Sequence, residues 1–237
     1  LFNSYIFIFL FLPLALIGYF VLNRFGRNMY AKVFLLVMSL WFYGYFNYTY
    51  LAVIISSIAV NYAGVYLMRR YPGRKKFCLA AGLVFDIGML FYFKYANFVL
   101  SSANALLGTS FSPIQGISTL PLGISFYTFQ TLSYTIDVYR RDVKTEHNII
   151  DFGAYVVMFP QLIAGPIVKY RDVAAQLHVT HGRYNLKQIE DGMTLFTFGL
   201  AKKVLLADTI GALWTDIIGI AAVSYTHLRA HETSQDL

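Results

Sequence analysis

Charged residues and cysteine are scarce in this sequence. Lys, Arg, Asp and Glu make up 13% of its 237 residues, and the mean hydropathy is +0.55. Soluble domains carry about 25% charged residues, so an ordinary soluble domain is excluded. The single cysteine, Cys78, excludes an internal disulfide and matches no metal-binding spacing.

Familiar catalytic motifs are absent as well. The chain has no GxSxG elbow, no Walker loop, no GxGxxG fingerprint and no CxxC pair. His178 and His181 are three residues apart but lack the further ligands of a metal site. His147 and these two lie in predicted polar loops, so none suits a buried catalytic base. The sequence therefore predicts no metal, no bound cofactor and no catalytic residue within this chain.

Long apolar runs are what the sequence offers instead. Residues 4–22 carry no charge and are long enough to cross a bilayer. They lack a basic start and a cleavage site, which favours a membrane span over a signal peptide. Further predicted spans are two within 33–68 that turn near 44–47, then 77–93 and 121–139. Residues 96–107 are predicted along the surface, 173–186 as interfacial or looped, and 188–222 as one or two helices interrupted near 208–209.

Basic residues follow alternate spans. Three come after the first span, five after the third and three after the fifth, whereas Lys94 is alone on the other side. The positive-inside rule places the basic loops in the cytoplasm and the amino terminus outside. Membrane orientation thus explains the net charge of +7 better than nucleic acid does. The predicted partner is a lipid bilayer, with no nucleic acid.

A polar stripe runs along the predicted span 121–139. Tyr127, Gln130, Ser133, Tyr134 and Asp137 recur at steps of three or four, which gathers them on one side of a helix. Ionisable groups in a span cost about 2.5–3.5 kcal/mol on insertion scales, so they are candidates for function. The stripe is expected to face protein or trapped water.

The run after this span is interrupted by Pro160 and Pro166, with Gly165 before the second. Proline removes a backbone donor and pushes the preceding residue out of helical conformation. Two interpretations remain open: a kinked helix that ends near the interface, or a re-entrant segment beside a polar passage. Cytoplasmic placement of Lys169 and Arg171 would return 151–168 to the side it left, as a re-entrant segment requires.

Asp86 is an acidic residue in the middle of an apolar run. Its two interpretations are a carboxyl group hydrogen-bonded between helices and a catalytic group. The first is favoured, because buried charges in membranes usually pair with neighbouring helices.

Several of these stretches resemble the membrane-bound O-acyltransferase family. The matching motifs are PLGISFYTFQTLSYTIDVYR (121–140) and FPQLIAGPIVKYRD (159–172), together with FNSYIFIFLFLP (2–13), FYFKYANF (91–98) and GLAKKVLLAD (199–208). Within that family, these motifs most resemble the branch that contains the bacterial alginate O-acetyltransferase membrane subunit. The resemblance covers nearly all of residues 1–222.

The resemblance implies an all-α, polytopic transmembrane bundle with a re-entrant or broken segment, truncated to its amino-terminal part, in a bacterial inner membrane. Family members move an acyl group, here expected to be acetyl, from a cytoplasmic thioester to a hydroxyl of an extracytoplasmic polymer. The implied donor is acetyl-CoA or an acyl carrier, and envelope proteins are implied as further partners. The family uses a buried histidine as base in a later segment, so this fragment is expected to be inactive.

By resemblance, the substrate path uses the polar stripe and the broken segment. The implied substrate-binding residues are Tyr127, Gln130, Ser133, Tyr134, Asp137, Pro160, Gln161, Gly165 and Pro166. For each of them, hydrogen bonding between helices is the alternative, worth about 0.6 kcal/mol apiece. The alternative for the whole chain is a secondary transporter or channel, because broken helices and buried polar groups mark those proteins too.

The last residues, 223–237, differ from everything before them. VSYTHLRAHET breaks the apolar pattern, and the codons that would encode it resemble a tagmentation adaptor used in preparing sequencing libraries. We therefore interpret 223–237 as a non-native tail, to be checked by reading the underlying DNA. The natural part of the chain is expected to be 1–222.

Overall fold

A computed structural model describes residues 4–24, 28–114, 120–162, 167–177 and 186–218 of the chain. Within these ranges the regular structure is helical throughout. The predicted tail, 223–237, lies outside the described residues. The all-α expectation is confirmed.

The chain divides into two compact units. One comprises Ala15–Gly182, and the other comprises Leu1–Leu14 with Arg183–Leu237. The larger unit contains the predicted polar stripe and the broken segment, so the candidate functional residues belong to it.

The helices of the chain are short to medium in length. They are α1 (Leu12–Arg24), α2 (Asn28–Phe46), α3 (Leu51–Arg70), α4 (Lys75–Leu90), α5 (Ala96–Leu107), α6 (Ile124–Arg140), α7 (Ile149–Val157), α8 (Tyr170–Leu177) and α9 (Leu186–Ala201). Segments of π-helix cover Phe7–Phe11, Phe91–Tyr95 and Lys202–Ala207, and single 3₁₀ turns cover Tyr48–Tyr50 and Pro72–Arg74.

Four helical stretches are long and apolar enough to cross a membrane: Phe7–Arg24, Asn28–Phe46, Tyr48–Arg70 and Pro72–Leu107. The first three correspond to the predicted span 4–22 and to the two spans expected within 33–68. The turn between the latter lies at Asn47, whose side-chain oxygen accepts a hydrogen bond from the amide of Thr49 at 3.0 Å. This Asn cap satisfies a backbone donor that the helix start would otherwise leave open.

The helix continues from α4 through the π-helical Phe91–Tyr95 into α5, which coincides with residues 96–107; their position along the surface stays a prediction. The helix after α9 is not interrupted near 208–209, since residues 186–218 stay helical and the irregularity is the π segment Lys202–Ala207. Of residues 173–186, predicted as interfacial or looped, 173–177 belong to the helix α8.

α6 and α7 form the most enclosed part of the larger unit. α6 has 17 residues, and seven of them are buried. α7 has nine residues, and all of those from Asp151 to Val157 are buried. A nine-residue helix is about 14 Å long, less than half of the hydrocarbon thickness of about 30 Å. α7 thus cannot span a bilayer, which agrees with the predicted broken segment.

Aromatic rings pack around α6 and α7. The ring of Tyr134 lies 5.0 Å from that of Phe152 and 4.8 Å from that of Tyr170, measured between centroids, and Tyr155 is 5.2 Å from Tyr170. These are the separations at which aromatic pairs attract beyond simple burial. The cluster joins α6, α7 and α8.

Candidate functional site

The polar stripe predicted on α6 divides into buried and half-buried members. Tyr127, Gln130 and Tyr134 are almost completely buried, whereas Ser133 and Asp137 are half-buried. Phe129, on another face of the same helix, is 48% exposed. The stripe therefore turns its tyrosines and its amide toward the protein interior.

Gln130 connects the stripe to the broken segment. Its Nε2 donates to Oε1 of Gln161 at 2.9 Å and lies 3.2 Å from the carbonyl oxygen of Tyr155. Two of the sequence-predicted site residues are thus in direct contact, although 31 positions separate them in the chain. Pro160 lies exposed in the turn that precedes Gln161, and Gly165 and Pro166 lie outside the described residues.

The segment from α7 to α8 returns to the end of the unit at which it started. Glu146, which precedes α7, accepts a hydrogen bond from the phenol of Tyr170, which begins α8. Tyr155 in α7 donates to the carbonyl oxygen of Val168 at 2.9 Å, so the returning stretch of chain runs beside the helix. These contacts bring the residues before α7 and the start of α8 together, as a re-entrant segment requires.

Glu146 is buried, and it organises this return. Its Oε1 accepts from the amides of His147 at 2.8 Å and Asn148 at 2.9 Å, while its own amide donates to the Tyr134 hydroxyl at 2.8 Å. Burial, followed by the hydrogen bond and the charge of Glu146, raises the pKa of Tyr170 above its ordinary value. Tyr170 consequently stays a protonated donor to the carboxylate.

Charged groups at the start of α7 pair across helices. Lys32 Nζ of α2 lies 2.8 Å from Oδ2 of Asp151 in the first turn of α7, where a carboxylate also suits the helix dipole. His147 is exposed and lies against the guanidinium of Arg69. It is the one histidine within the described residues, and its position does not suit a buried base.

A second polar group lies where α3, α4 and α6 meet; the sequence interpretation identified Asp86 but missed its partners. Asn61 Nδ2 donates to Oδ1 of Asp86 at 2.8 Å and to the carbonyl oxygen of Ser57 at 3.0 Å. Thr135 donates to Asn61 Oδ1, and Thr131 Oγ1 lies 3.2 Å from Asp86 Oδ2. Each of these side chains is at most 2% exposed.

Asp86 is therefore held by hydrogen bonds between helices, as the favoured interpretation expected. A buried carboxylate is tolerated when its oxygens are satisfied in this way. The threonines of α6 recur at 128, 131 and 135, a helical spacing that runs beside the predicted stripe. That spacing was a signal for a second polar face, but it did not identify Asn61 as the partner.

Near the amino-terminal end of α6, two buried phenols lie beside each other. Tyr43 of α2 and Tyr127 of α6 are 1% and 0% exposed, and each hydroxyl has the other as its neighbouring polar group, with no further hydrogen bond within the described residues. Tyr43 also lines a cavity of about 180 Å³, and the other lining residues are Phe46, Asn47, Tyr50, Leu120 and Leu122.

Glycine at position 123 fixes one wall of this region. Gly123 has φ +67°, and a Cβ atom there would lie 2.2 Å from the carbonyl oxygen of Leu162. Only glycine adopts that conformation at little cost and allows the broken segment to pack so close to the start of α6. The α6 start and the 158–162 turn are thereby held together.

The described part of this arrangement presents hydrogen-bonding groups of the kind that can orient a polar ligand. Within the described ranges there is no cluster of three or more metal-binding side chains. What is present is a set of fixed donors and acceptors along α6 and the broken segment.

Known O-acetyltransferases are similar to the chain over most of its length. It is 39% identical over 220 residues to "Probable alginate O-acetylase AlgI" of Pseudomonas aeruginosa, which covers 90% of this chain and 41% of that protein. It is 38% identical over 220 residues to the protein of the same name from Azotobacter vinelandii, covering 90% and 42%. "Peptidoglycan O-acetyltransferase" of Helicobacter pylori is 33% identical over 262 aligned positions, covering 99% and 49%.

These similarities confirm the resemblance to O-acyltransferases that the motifs indicated. The chain spans less than half the length of the curated relatives that it matches here. No protein-family model and no solved structure matches the chain.

Proposed function

We propose that this chain is part of a membrane O-acyltransferase that transfers an acyl group, in particular acetyl, to a hydroxyl of an extracytoplasmic polysaccharide. The observation that carries the proposal is the contact between Gln130 and Gln161, which joins the polar face of α6 to the broken segment. The similarity to alginate and peptidoglycan O-acetyltransferases supplies the type of reaction.

The proposed reaction needs alignment and a base. A thioester, from acetyl-CoA or an acyl carrier, is already activated, so the acceptor hydroxyl must be brought in line with it and lose its proton. The carbonyl carbon bonds to the acceptor oxygen, the thiolate leaves, and the hydroxyl proton passes to the base. By resemblance to the family, we assign the base to a later segment of the complete protein, and we expect this chain alone to transfer no acyl group.

The broken segment suits a passage between the two reactants. Irregular backbone at membrane depth is tolerated where protein or a water-filled cavity satisfies it. Tyr127, Gln130 and Tyr134 line α6 beside this segment, with Ser133 and Asp137 at the edge of the same face. Pro160 and Gln161 form the turn, and we assign Gly165 and Pro166, by resemblance, to the rest of the path.

Charge supports one orientation in a bacterial inner membrane. The basic residues after the first, third and fifth spans favour a cytoplasmic position for those loops, where the thioester would dock. The amino terminus and the turn at Asn47 then face the extracytoplasmic side, toward the polymer and toward envelope proteins that present it.

The test uses the complete gene product in lipid vesicles, with a labelled acyl thioester outside the cytoplasmic face and a polysaccharide acceptor opposite. Label should appear as an ester on the polymer. Gln161→Leu should reduce the rate at least tenfold, because Gln130 loses its partner, while Phe129→Leu on the exposed face of α6 serves as control. Passage of an unaltered solute without ester formation would instead support a transporter.

A further inference from the structure

We propose that one end of the larger unit binds the phosphate groups of anionic phospholipids. The surface consists of exposed cations from the α3–α4 turn and from the end of α6 with the loop that follows it. We call it the basic face, and its members are Arg70, Arg74, Lys76, Arg140, Arg141 and Lys144. The proposal concerns lipid binding alone, so it does not depend on the acyl transfer proposed above.

Contacts between helices bring the two parts of the basic face to the same end of the unit. Lys75, in the first turn of α4, has its ammonium group 5.1 Å from the centre of the Tyr139 ring near the end of α6. Arg69, at the end of α3, lies against His147, whose carbonyl oxygen accepts a hydrogen bond from Tyr62 of α3 at 2.6 Å. The α3–α4 turn is thereby next to the chain that leaves α6, although the two are far apart in the sequence.

The positive charge of the basic face is not neutralised by the protein. None of its cations forms a salt bridge within the part of the chain that the structure describes. Residues 69–76 include no acidic residue, and the last turn of α6 and its following loop contain Asp137, Asp142 and Glu146. Glu146 is buried and occupied by hydrogen bonds. The cations outnumber the remaining acidic groups, so this end of the unit attracts anions.

The surroundings of the basic face favour a lipid over a soluble anion. It lies where the membrane-length stretches Tyr48–Arg70 and Pro72–Leu107 meet, which is where the headgroups of a bilayer are expected. Tyr71 and Phe77 flank the cations of this turn and are 54% and 75% exposed. Aromatic rings at the end of a span suit the boundary between headgroups and acyl chains, and basic clusters beside a span bind anionic headgroups. A soluble phosphate would use the cations but not the aromatic rings.

The experiment measures lipid selectivity of the complete gene product in phosphatidylcholine nanodiscs. Spin-labelled phosphatidylglycerol or spin-labelled phosphatidylcholine is added, and electron paramagnetic resonance gives the fraction of each that the protein immobilises. We expect phosphatidylglycerol to associate about fivefold more strongly, as one cation at a headgroup would give. The preference should largely disappear in about 1 M salt, where the screening length is about 3 Å.

Substitutions locate the selectivity. The triple variant Arg74→Gln, Lys76→Gln, Arg140→Gln should reduce the preference to about twofold or less, and Arg140→Gln alone should reduce it in the same direction with less risk to folding. The matched control is Lys94→Gln, which should keep the full preference. Lys94 is also exposed and has its ammonium group 5.4 Å from an aromatic ring, that of Tyr95, but it lies outside the basic face.

Each contrary outcome overturns the proposal. Equal association of the two lipids with the unaltered protein would show that no anionic lipid is selected. A preference that persists in high salt, or that survives both Arg140→Gln and the triple variant, would show that the basic face is not its source. Inorganic pyrophosphate, added at constant ionic strength, should leave the preference unchanged, and its loss would assign the face to a soluble anion instead.

Discussion

α6 carries two polar groups that differ in how completely they are hydrogen-bonded. In the group around Asp86, Asn61 and Thr135, side-chain hydrogen bonds connect α3, α4 and α6, and both Asp86 oxygens and both polar atoms of the Asn61 amide take part. The group around Tyr43 and Tyr127 is smaller, because the two hydroxyls lie beside each other and make no further hydrogen bond in the described residues. A network in which every group is hydrogen-bonded stabilises the fold, whereas a sparsely bonded pair contributes less. One helix thus carries two polar groups of different structural weight.

Of the variants considered, Asn61→Leu should lower the free energy of unfolding most, because it leaves the Asp86 carboxylate buried without its main hydrogen-bond donor. We expect a loss of about 3 kcal/mol in the free energy of unfolding, measured by denaturant titration in mixed micelles. The double variant Asn61→Leu with Asp86→Leu should recover much of that loss. A single variant as stable as the unaltered chain would show that the network is not structural.

Gly123→Ala tests whether the open region depends on close backbone packing. The left-handed φ and the contact with the Leu162 carbonyl should together cost about 2 kcal/mol of unfolding free energy, measured by the same titration. Gly108→Ala is the control, because Gly108 has a similar φ of +64° and no neighbour within 4 Å. If both variants lose the same stability, the contact with Leu162 contributes nothing.

Gln161→Leu should have a smaller effect on stability than on transfer. Loss of the hydrogen bond from Gln130 should cost about 1 kcal/mol of unfolding free energy. Gln176→Leu is a matched control at an exposed position of α8. A loss of several kcal/mol would place Gln161 in the structural group and remove it from the proposed path.

Tyr127→Phe should change the free energy of unfolding least. Comparing it with Tyr134→Phe tests directly whether the two polar groups differ in their contribution to stability. Tyr127 and Tyr134 are both 0% exposed and lie on the same helix. Tyr134→Phe removes the acceptor for the Glu146 amide and should cost about 1 kcal/mol of unfolding free energy, whereas Tyr127→Phe should change it by less than about 0.5 kcal/mol. Equal losses in denaturant titration would mean that Tyr127 has a structural partner.

The local features of the chain could be predicted, and the pairings could not. Periodicity identified the inward face at Tyr127, Gln130 and Tyr134, since helical spacing depends on neighbours three or four residues away. The Asn61–Asp86 pair joins residues 25 positions apart on two helices, and no single-sequence pattern encodes such a contact. Proline located the broken segment but not the contact of Gln161 with Gln130.

Helix bounds failed for a similar reason. Hydropathy placed an end near Phe93, whereas the backbone continues through a π-helical segment. A π segment needs no proline or glycine to mark it, so no residue type there indicates that the helix continues. The turn at Asn47 could be predicted because polar and aromatic residues cluster there.

The unbroken stretch Pro72–Leu107 has a consequence for how the protein fits its membrane. Its 36 residues extend about 54 Å, against a hydrocarbon core of about 30 Å, and even a tilt of about 20° leaves roughly 20 Å outside. We expect Lys75 and Lys76, in the first turn of α4, to lie at the headgroups, which would leave α5 as the excess length. Hydrophobic mismatch should therefore govern α5: thicker bilayers immerse it, and thinner ones expel it. The π segment at Phe91–Tyr95 marks where its inclination can adjust.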